Sequence, residues 1–193
     1  MEQGVLDTLY QVLASPSRGL RKVTQSQPLG WAIGVAVLVS LVIALSLLPN
    51  PPGLIEAIFH LEGGSFNFVL AVFSVIGSFL FGLLLAGGIF HGMAKLLRGQ
   101  GSYWGVFCGL CFAFFPGVIF APLMLLQALL GFPGQILFLV GALALFPWIL
   151  ILQILAISQN YGFHTKRAIA TFFIPTVILA ILPVLAAAIS MAL

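Results

Sequence analysis

The chain has 193 residues, of which 62% are hydrophobic and only 6% are charged, and its formal net charge is +3. A soluble domain carries about 25% charged residues, so this composition excludes a soluble globular protein and predicts a membrane protein. The seven Lys and Arg residues fall in short hydrophilic segments and form no dense basic stripe. Nucleic acid is therefore not an expected partner.

Residues 1–27 form a short N-terminal segment with an amphipathic pattern. Its apolar side chains recur at helical spacing: Val5, Leu6, Leu9, Val12 and Leu13. A helix this short cannot cross a bilayer, so the pattern predicts an interfacial helix. Ser15-Pro16 indicates the start of a second helix. That helix carries three cations, Arg18, Arg21 and Lys22, whose simplest interpretation is a topology signal.

Five apolar stretches are long enough to cross a membrane, at approximately 28–48, 68–95, 103–130, 135–157 and 168–192. About 20 apolar residues span the hydrocarbon core. The predicted fold class is therefore all-α, a polytopic transmembrane bundle with five spans that make up a membrane domain, 28–193. With every basic segment in the cytoplasm, the N-terminus is cytoplasmic and the C-terminus lies outside.

Small residues recur every four positions along the second and third spans. The second span carries Ser74, Ser78, Gly82 and Ala86, and the third carries Gly101, Gly105, Gly109 and Gly117. Such steps let two helices approach until their backbones nearly touch. We expect these residues to be helix-packing positions, and we expect the two stripes to pack against each other.

Five prolines within the spans predict kinks: Pro116, Pro122, Pro147, Pro175 and Pro183. Isolated kinks are common in transmembrane helices, because neighbouring groups satisfy the freed backbone atoms. In the alternative interpretation, the broken spans meet around one non-helical cavity, as they do in transporters.

Ionisable residues gather where the second and fourth spans end. His91 and Lys95 are one helical turn apart, and near a membrane interface such residues often extend to the headgroups. The candidates for interaction at the cytoplasmic face are His91, Lys95, Arg98, Tyr103, His164, Lys166 and Arg167. Among polar groups in or near the spans, Gln127, Gln153, Asn160, Ser74 and Ser78 are expected to form hydrogen bonds between helices.

Catalytic and metal-binding patterns are weak in this sequence. No span contains Asp or Glu, so no acid–base pair is expected. Cys108 and Cys111 lie in apolar surroundings, which disfavour the reactive thiolate, and their simplest role is that of small buried side chains. Glu56, His60 and Glu62 are weak metal candidates in the first loop, where a solvated surface turn is the simpler interpretation. We predict no catalytic residue, metal or cofactor.

Three parts of the chain carry a resemblance to a known family: Ser15-Pro16 before the first span, residues 91–99 and 101–103 with Phe115-Pro116, and residues 162–168 with Pro175. The chain resembles the Yip family, the Ypt/Rab-interacting membrane proteins and their prokaryotic relatives. The resemblance implies five spans and a cytoplasmic N-terminus. Eukaryotic members have a long cytoplasmic N-terminal region and act with Rab-type GTPases. Residues 1–27 are short by comparison, so a prokaryotic-type member without a GTPase partner is expected.

Two functions remain open. The favoured one is a non-enzymatic membrane organiser or adaptor in the cytoplasmic membrane of a prokaryote, with membrane lipids and other membrane proteins, or a second copy of itself, as partners. It rests on the resemblance, the small-residue stripes and the missing catalytic groups. The alternative is a small carrier or permeation path for a lipid or solute, which a continuous polar cavity would favour.

Overall fold

The computed structural model describes residues 5–47 and 64–192, and within these ranges the chain is helical and has no β-strand. The elements in chain order are α1 (Val5–Ala14), α2 (Pro16–Ser26), α3 (Leu29–Leu47), α4 (Gly64–Leu96), α5 (Tyr103–Ala113), a 3₁₀ helix (Phe115–Ile119), α6 (Phe120–Leu130), α7 (Phe132–Tyr161) and α8 (Thr165–Ala192). The expectation of an all-helical fold is confirmed for this part of the chain.

Three stretches of the described residues are long and apolar enough to cross a membrane: Val69–Leu96, Tyr103–Leu130 and Phe132–Tyr161. A shorter apolar helix covers Leu29–Leu45. The 30 residues of α7 reach about 45 Å, beyond the ~30 Å hydrocarbon core, so this helix either tilts or extends past the membrane surface. The count of five spans and the sidedness of the termini stay predictions.

Helix α5 forms the centre of the fold. Every residue from Gly105 to Ala113 is buried, and α2, α3, α4 and α7 all pack against this helix. The third predicted span is not one continuous α-helix, because Pro116 lies in the 3₁₀ helix that separates α5 from α6. A proline has no N–H to donate and its ring crowds the preceding turn, which explains a break at this position.

The other four prolines lie within α-helices. Pro122 lies in the first turn of α6, and Pro147 lies in the interior of α7. Pro175 and Pro183 both lie within α8. Each of these helices continues past its proline, so a change of helix type occurs at Pro116 and not at the other predicted kink positions.

Helix α4 lies against α5 and α8 through aromatic side chains. Phe79 of α4 meets Phe114 edge-on, with ring centroids 5.4 Å apart. Phe90 stacks on Phe172 of α8 at 5.2 Å. Such ring pairs add about 0.5–1.5 kcal/mol beyond the area they bury, and they hold the middle and the C-terminal part of α4 in the bundle.

The N-terminal helices pack into the bundle through one face. Leu20 and Val23 of α2 are fully buried, and α2 lies against α5 and α7. At the α1–α2 corner, a Cβ added at Gly19 would lie 2.6 Å from the backbone nitrogen of Val12. Only glycine permits this approach, so α1 and α2 are held together backbone to backbone.

Candidate functional site

Polar side chains from several helix ends converge at one end of the bundle. We call this group the polar end cluster and define it by six residues: Gln27, His91, Ser102, Tyr103, Asn160 and Tyr161. They come from the end of α2, the C-terminal part of α4, the start of α5 and the end of α7. Lys95 and Arg98 follow His91 at the end of α4, and Lys166 and Arg167 lie at the start of α8, shortly after Tyr161.

Ser102 lies at the centre of the polar end cluster. Its hydroxyl oxygen accepts a hydrogen bond from the backbone N–H of Gly105 at 3.0 Å and so caps α5. The same oxygen accepts a bond from Nε2 of Gln27 at 2.7 Å. The carbonyl oxygen of Ser102 accepts a bond from Nδ2 of Asn160 at 2.8 Å. One residue therefore connects α5 to the N-terminal segment and to α7.

Gly101, which precedes α5, and Gly105, in its first turn, make room for Asn160. A Cβ added at Gly105 would overlap Oδ1 of Asn160 and would lie 2.8 Å from the carbonyl oxygen of Thr24. A Cβ added at Gly101 would lie 2.6 Å from Nδ2 of Asn160 and 2.7 Å from the ring of Tyr161. The side chain of Asn160 thus occupies the space that larger residues on α5 would fill.

Gln27 lies at a sharp turn between α2 and α3. Its backbone is left-handed, with φ 47° and ψ 55°, and its N–H donates to the carbonyl oxygen of Val23 at 2.9 Å. A residue other than glycine costs about 1–2 kcal/mol in this conformation. The side-chain bond to Ser102 offsets part of that cost, because it exists only when the turn directs Gln27 toward α5.

His91 connects α4 to the end of α7. Its Nδ1 lies 2.7 Å from the hydroxyl oxygen of Tyr161. Tyr103 meets the His91 ring edge-on at 6.1 Å, and its hydroxyl donates to the carbonyl oxygen of Leu84 at 3.1 Å. Tyr161 in turn stacks on Phe163 at 5.7 Å. These donors and acceptors are paired across helices, so the arrangement holds the ends of α4, α5 and α7 together.

The helices that carry the polar end cluster belong to a known domain family. The model of the Yip1 domain matches residues 10–188, which include every member of the polar end cluster. The chain belongs to the Yip1-domain family. This confirms the resemblance drawn from the sequence and, together with the long apolar helices, makes the chain an integral membrane protein. We found no significant match among curated proteins or among solved structures.

The expectation that the two small-residue stripes pack against each other is wrong. The stripe on α5 does not pack on the stripe of α4. A Cβ added at Gly109 would lie 2.9 Å from the Cβ of Ala156 on α7 and 3.0 Å from Cγ2 of Thr24 on α2. Gly117, past the end of α5, faces Val39 of α3. The physical reason is that α7 and α2 offer small side chains at this surface and approach it more closely than α4 does.

In this Yip1 domain Ser78 and Gly82 of the α4 stripe face outward, whereas Ala86 packs against the buried core. Ser78 is exposed, and a Cβ added at Gly82 would have no atom within 4 Å. The hydroxyl of Ser78 donates to the carbonyl oxygens of Ser74 and Val75 in its own helix, so it forms no bond between helices. Instead, α4 reaches α5 at Gly87, where a Cβ would lie 3.5 Å from the ring of Tyr103.

Other predicted residues lie apart from the polar end cluster or at its rim. Five of the cytoplasmic-face candidates are exposed: Lys95, Arg98, His164, Lys166 and Arg167. Cys108 and Cys111 are free thiols buried in α5. Glu56, His60 and Glu62 lie outside the described residues, and within those residues no three His, Cys, Asp or Glu side chains come together.

Only part of the polar end cluster was predictable from the sequence. Asn160 was expected to form a bond between helices, and its bond to Ser102 confirms this. Ser102 was missed, although a serine directly before an apolar helical run is a typical N-cap. Gln27 and Tyr161 were also missed. Gln27 carries no local signal, because nothing in the sequence indicates which distant helix its side chain meets.

Proposed function

We propose that this Yip1-domain chain is a non-catalytic membrane organiser or adaptor. It binds transmembrane helices of other membrane proteins, or of a second copy of itself, in the cytoplasmic membrane of a prokaryote. The observation that carries the proposal is a set of glycines on α4 that face open space. Added Cβ atoms at Gly77, Gly82 and Gly92 would each have no atom within 4 Å, so these glycines serve no contact inside the described part of the chain.

The energetics of helix association in lipid support this use of α4. Lipid tails are as apolar as leucine, so helices associate through close packing, and small residues permit that packing. Glycine in a helix interior is about 1 kcal/mol less favourable than alanine. Glycines that face open space destabilise α4 and make no contact in return. Close packing against a docked helix would offset that loss of stability. Phe81 and Leu85, which are exposed beside Gly82, would form the walls of the contact.

The absence of a catalytic role is likewise a proposal. It is supported by the polar end cluster, in which His91 is engaged by Tyr161 and Ser102 is engaged by Gln27, Gly105 and Asn160. Because these side chains form hydrogen bonds with one another, their role is to hold the helices together. No carboxylate lies within the apolar spans to activate a nucleophile.

The adaptor proposal is tested by photo-crosslinking in native membranes. A photoreactive residue at Leu85, beside Gly82 on α4, is compared with one at Leu143 on α7, which is 66% exposed. We expect discrete membrane-protein adducts from position 85 and lipid adducts from position 143. Gly82→Leu should abolish the adducts at position 85, because its side chain would keep a partner helix away. The same protein adducts from both positions, or adducts that persist in Gly82→Leu, would contradict the proposal.

The five-span topology with a cytoplasmic N-terminus is part of this proposal. It predicts that Gly131, in the turn between α6 and α7, lies outside, and that Lys166, at the start of α8, lies inside. Single cysteines at these positions, in a chain with Cys108→Ala and Cys111→Ala, can be labelled with an impermeant reagent. We expect labelling of intact cells at position 131 only. Labelling at position 166 from outside would overturn the orientation.

A further inference from the structure

Two turns that are distant in sequence meet at one end of the bundle. The first turn joins α4 to α5, and the second joins α7 to α8. A Cβ added at Gly99 in the first turn would lie 2.8 Å from the ring of Phe163 in the second turn and 2.9 Å from the ring of Tyr161, which precedes it. Because glycine permits this close approach, the residues that flank the contact are brought near one another.

The helices α4 and α8 are antiparallel here, because α4 ends at this contact and α8 begins beside it. The stacking of Phe90 on Phe172, with ring centroids 5.2 Å apart, sets their register. Lys95 follows Phe90 by five residues, and Arg167 precedes Phe172 by five residues. Each helix rises about 1.5 Å per residue, so Lys95 and Arg167 lie near the same level of the bundle.

Four cations flank the contact between the turns, and we call them the basic surface: Lys95, Arg98, Lys166 and Arg167. All four are exposed. None of them has an ion-pair partner among the described residues, in which Asp7 of α1 supplies the one carboxylate side chain. Like charges that the fold brings together repel one another, so an anion bound among them would be stabilised.

Two features of the local backbone make these positions unfavourable for cations in the absence of an anion. Lys166 and Arg167 lie in the first turn of α8, which has no acidic residue, and a helix N-terminus carries partial positive charge. Arg98 has a left-handed backbone with φ 62°, a conformation that favours glycine. Such strain is typical of residues that have a binding role.

The surroundings of the basic surface indicate that the anion belongs to a lipid. Leu96, directly after Lys95, is 79% exposed and ends the apolar stretch Val69–Leu96. Ile169, two residues after Arg167, is 41% exposed. Cations at the ends of apolar helices lie at the level of the lipid headgroups. A molecule with a phosphate and acyl chains would contact both kinds of side chain, whereas a soluble acidic peptide would leave the apolar ones in water.

We propose that the basic surface binds the phosphate of an anionic phospholipid, whose acyl chains contact the exposed apolar side chains beside it. The guanidinium groups of Arg98 and Arg167 can each hold two phosphate oxygens, and the two lysines add charge. The bound lipid connects the α4–α5 turn to the start of α8. The proposal does not rest on the adaptor role, because it uses these two turns and not the glycines of α4.

Native mass spectrometry of the purified full chain in detergent measures its affinity for short-chain phosphatidylglycerol and for zwitterionic phosphatidylcholine. The charge variant is Lys166→Gln/Arg167→Gln. The matched control is Arg18→Gln/Arg21→Gln, which removes the same charge from exposed positions on α2. We expect the parent to prefer phosphatidylglycerol. Each cation near a membrane surface is worth about fivefold in affinity, so the charge variant should bind roughly 25-fold more weakly, whereas the control keeps the parent's affinity.

A second variant, Arg98→Gly, separates binding from folding. It removes one cation and relieves the left-handed conformation, so it should bind phosphatidylglycerol about fivefold more weakly while its melting temperature stays the same or rises. Three outcomes would overturn the proposal: no preference for phosphatidylglycerol, an equal loss in the charge variant and the control, or full affinity in Arg98→Gly. Displacement of the lipid by inorganic phosphate at the same concentration as by lipid would identify a free-anion site and would overturn it as well.

Discussion

The two small-residue stripes have the same spacing and opposite environments. On α5, Gly105 and Gly109 are buried against α7 and α2, where an added Cβ would overlap Asn160 or lie 2.9 Å from Ala156. On α4, Ser78 is exposed and Gly82 faces open space. A four-residue period of small side chains therefore identifies a helix face suited to close approach, but it does not identify the helix that approaches.

The difference arises from the neighbours and not from the stripes. Asn160 extends its amide into the space above Gly105 and donates to Ser102, so the contact combines close packing with a hydrogen bond. On α4, the ring of Tyr103 contacts Gly87 on the inner side of the helix, and Ser78 and Gly82 lie exposed on the outer side. Three of the following four predictions test this contrast and one compares two turns, and all four are given in order of decreasing effect.

The largest effect is expected for Gly105→Leu and Gly109→Leu. At Gly105 the new side chain would meet the backbone oxygen of Thr24, which cannot rotate away, and at Gly109 it would meet the Cβ of Ala156. Overpacking costs about 1–3 kcal/mol and more where backbone must shift, so both variants should lower the free energy of unfolding by about 3 kcal/mol or prevent folding. Unfolding in mixed SDS–detergent micelles measures this, and unchanged stability would contradict the buried contact.

A smaller loss is expected for Asn160→Ala. The change removes one of two donors from the carbonyl oxygen of Ser102, which keeps its bond from the backbone N–H of Val106, and it opens space above Gly105. The net contribution of a typical hydrogen bond is about 0.5–1.5 kcal/mol, so a loss near 1 kcal/mol is expected. A double-mutant cycle with Gly105→Ala sharpens the test, because the alanine should be better tolerated once the amide is absent. Strictly additive losses in the free energy of unfolding would show that the two residues act independently, which would contradict the contact.

The fold class was predictable from composition, because charged residues at 6% leave no soluble alternative. The break at Pro116 was predictable from local chemistry. The partner of Gly109 was not, because α2, α4 and α7 all lie near α5 and the choice depends on side chains distant in sequence, such as Ala156 and Thr24. The link from Gln27 to Ser102 spans 75 positions and has no local signature.

The third prediction contrasts two residues at similar turns. Arg98 has φ 62° after α4, and Gly162 has φ 66° after α7. In each turn the following residue donates back to the helix, at 2.8 Å from Gly99 to Ala94 and at 3.0 Å from Phe163 to Ser158. The left-handed conformation costs a non-glycine residue about 1–2 kcal/mol. Arg98→Gly should therefore raise the free energy of unfolding by about 1 kcal/mol, whereas Gly162→Ala should lower it by a similar amount. Changes of the same sign in the two variants would refute this account.

The smallest effect on stability is expected for Gly82→Leu. No atom lies within 4 Å of an added Cβ there, so the leucine meets no neighbour in the described part of the chain. Leucine is also the better helix former, by about 0.8 kcal/mol at most, so the free energy of unfolding should stay the same or rise slightly. The comparison with Gly109→Leu is matched in chemistry and differs only in environment. A clear loss of stability in purified, monomeric Gly82→Leu would place an internal contact at the α4 stripe and remove the main support for the adaptor proposal. Unchanged stability combined with lost crosslinking at position 85 would separate folding from partner binding at this surface.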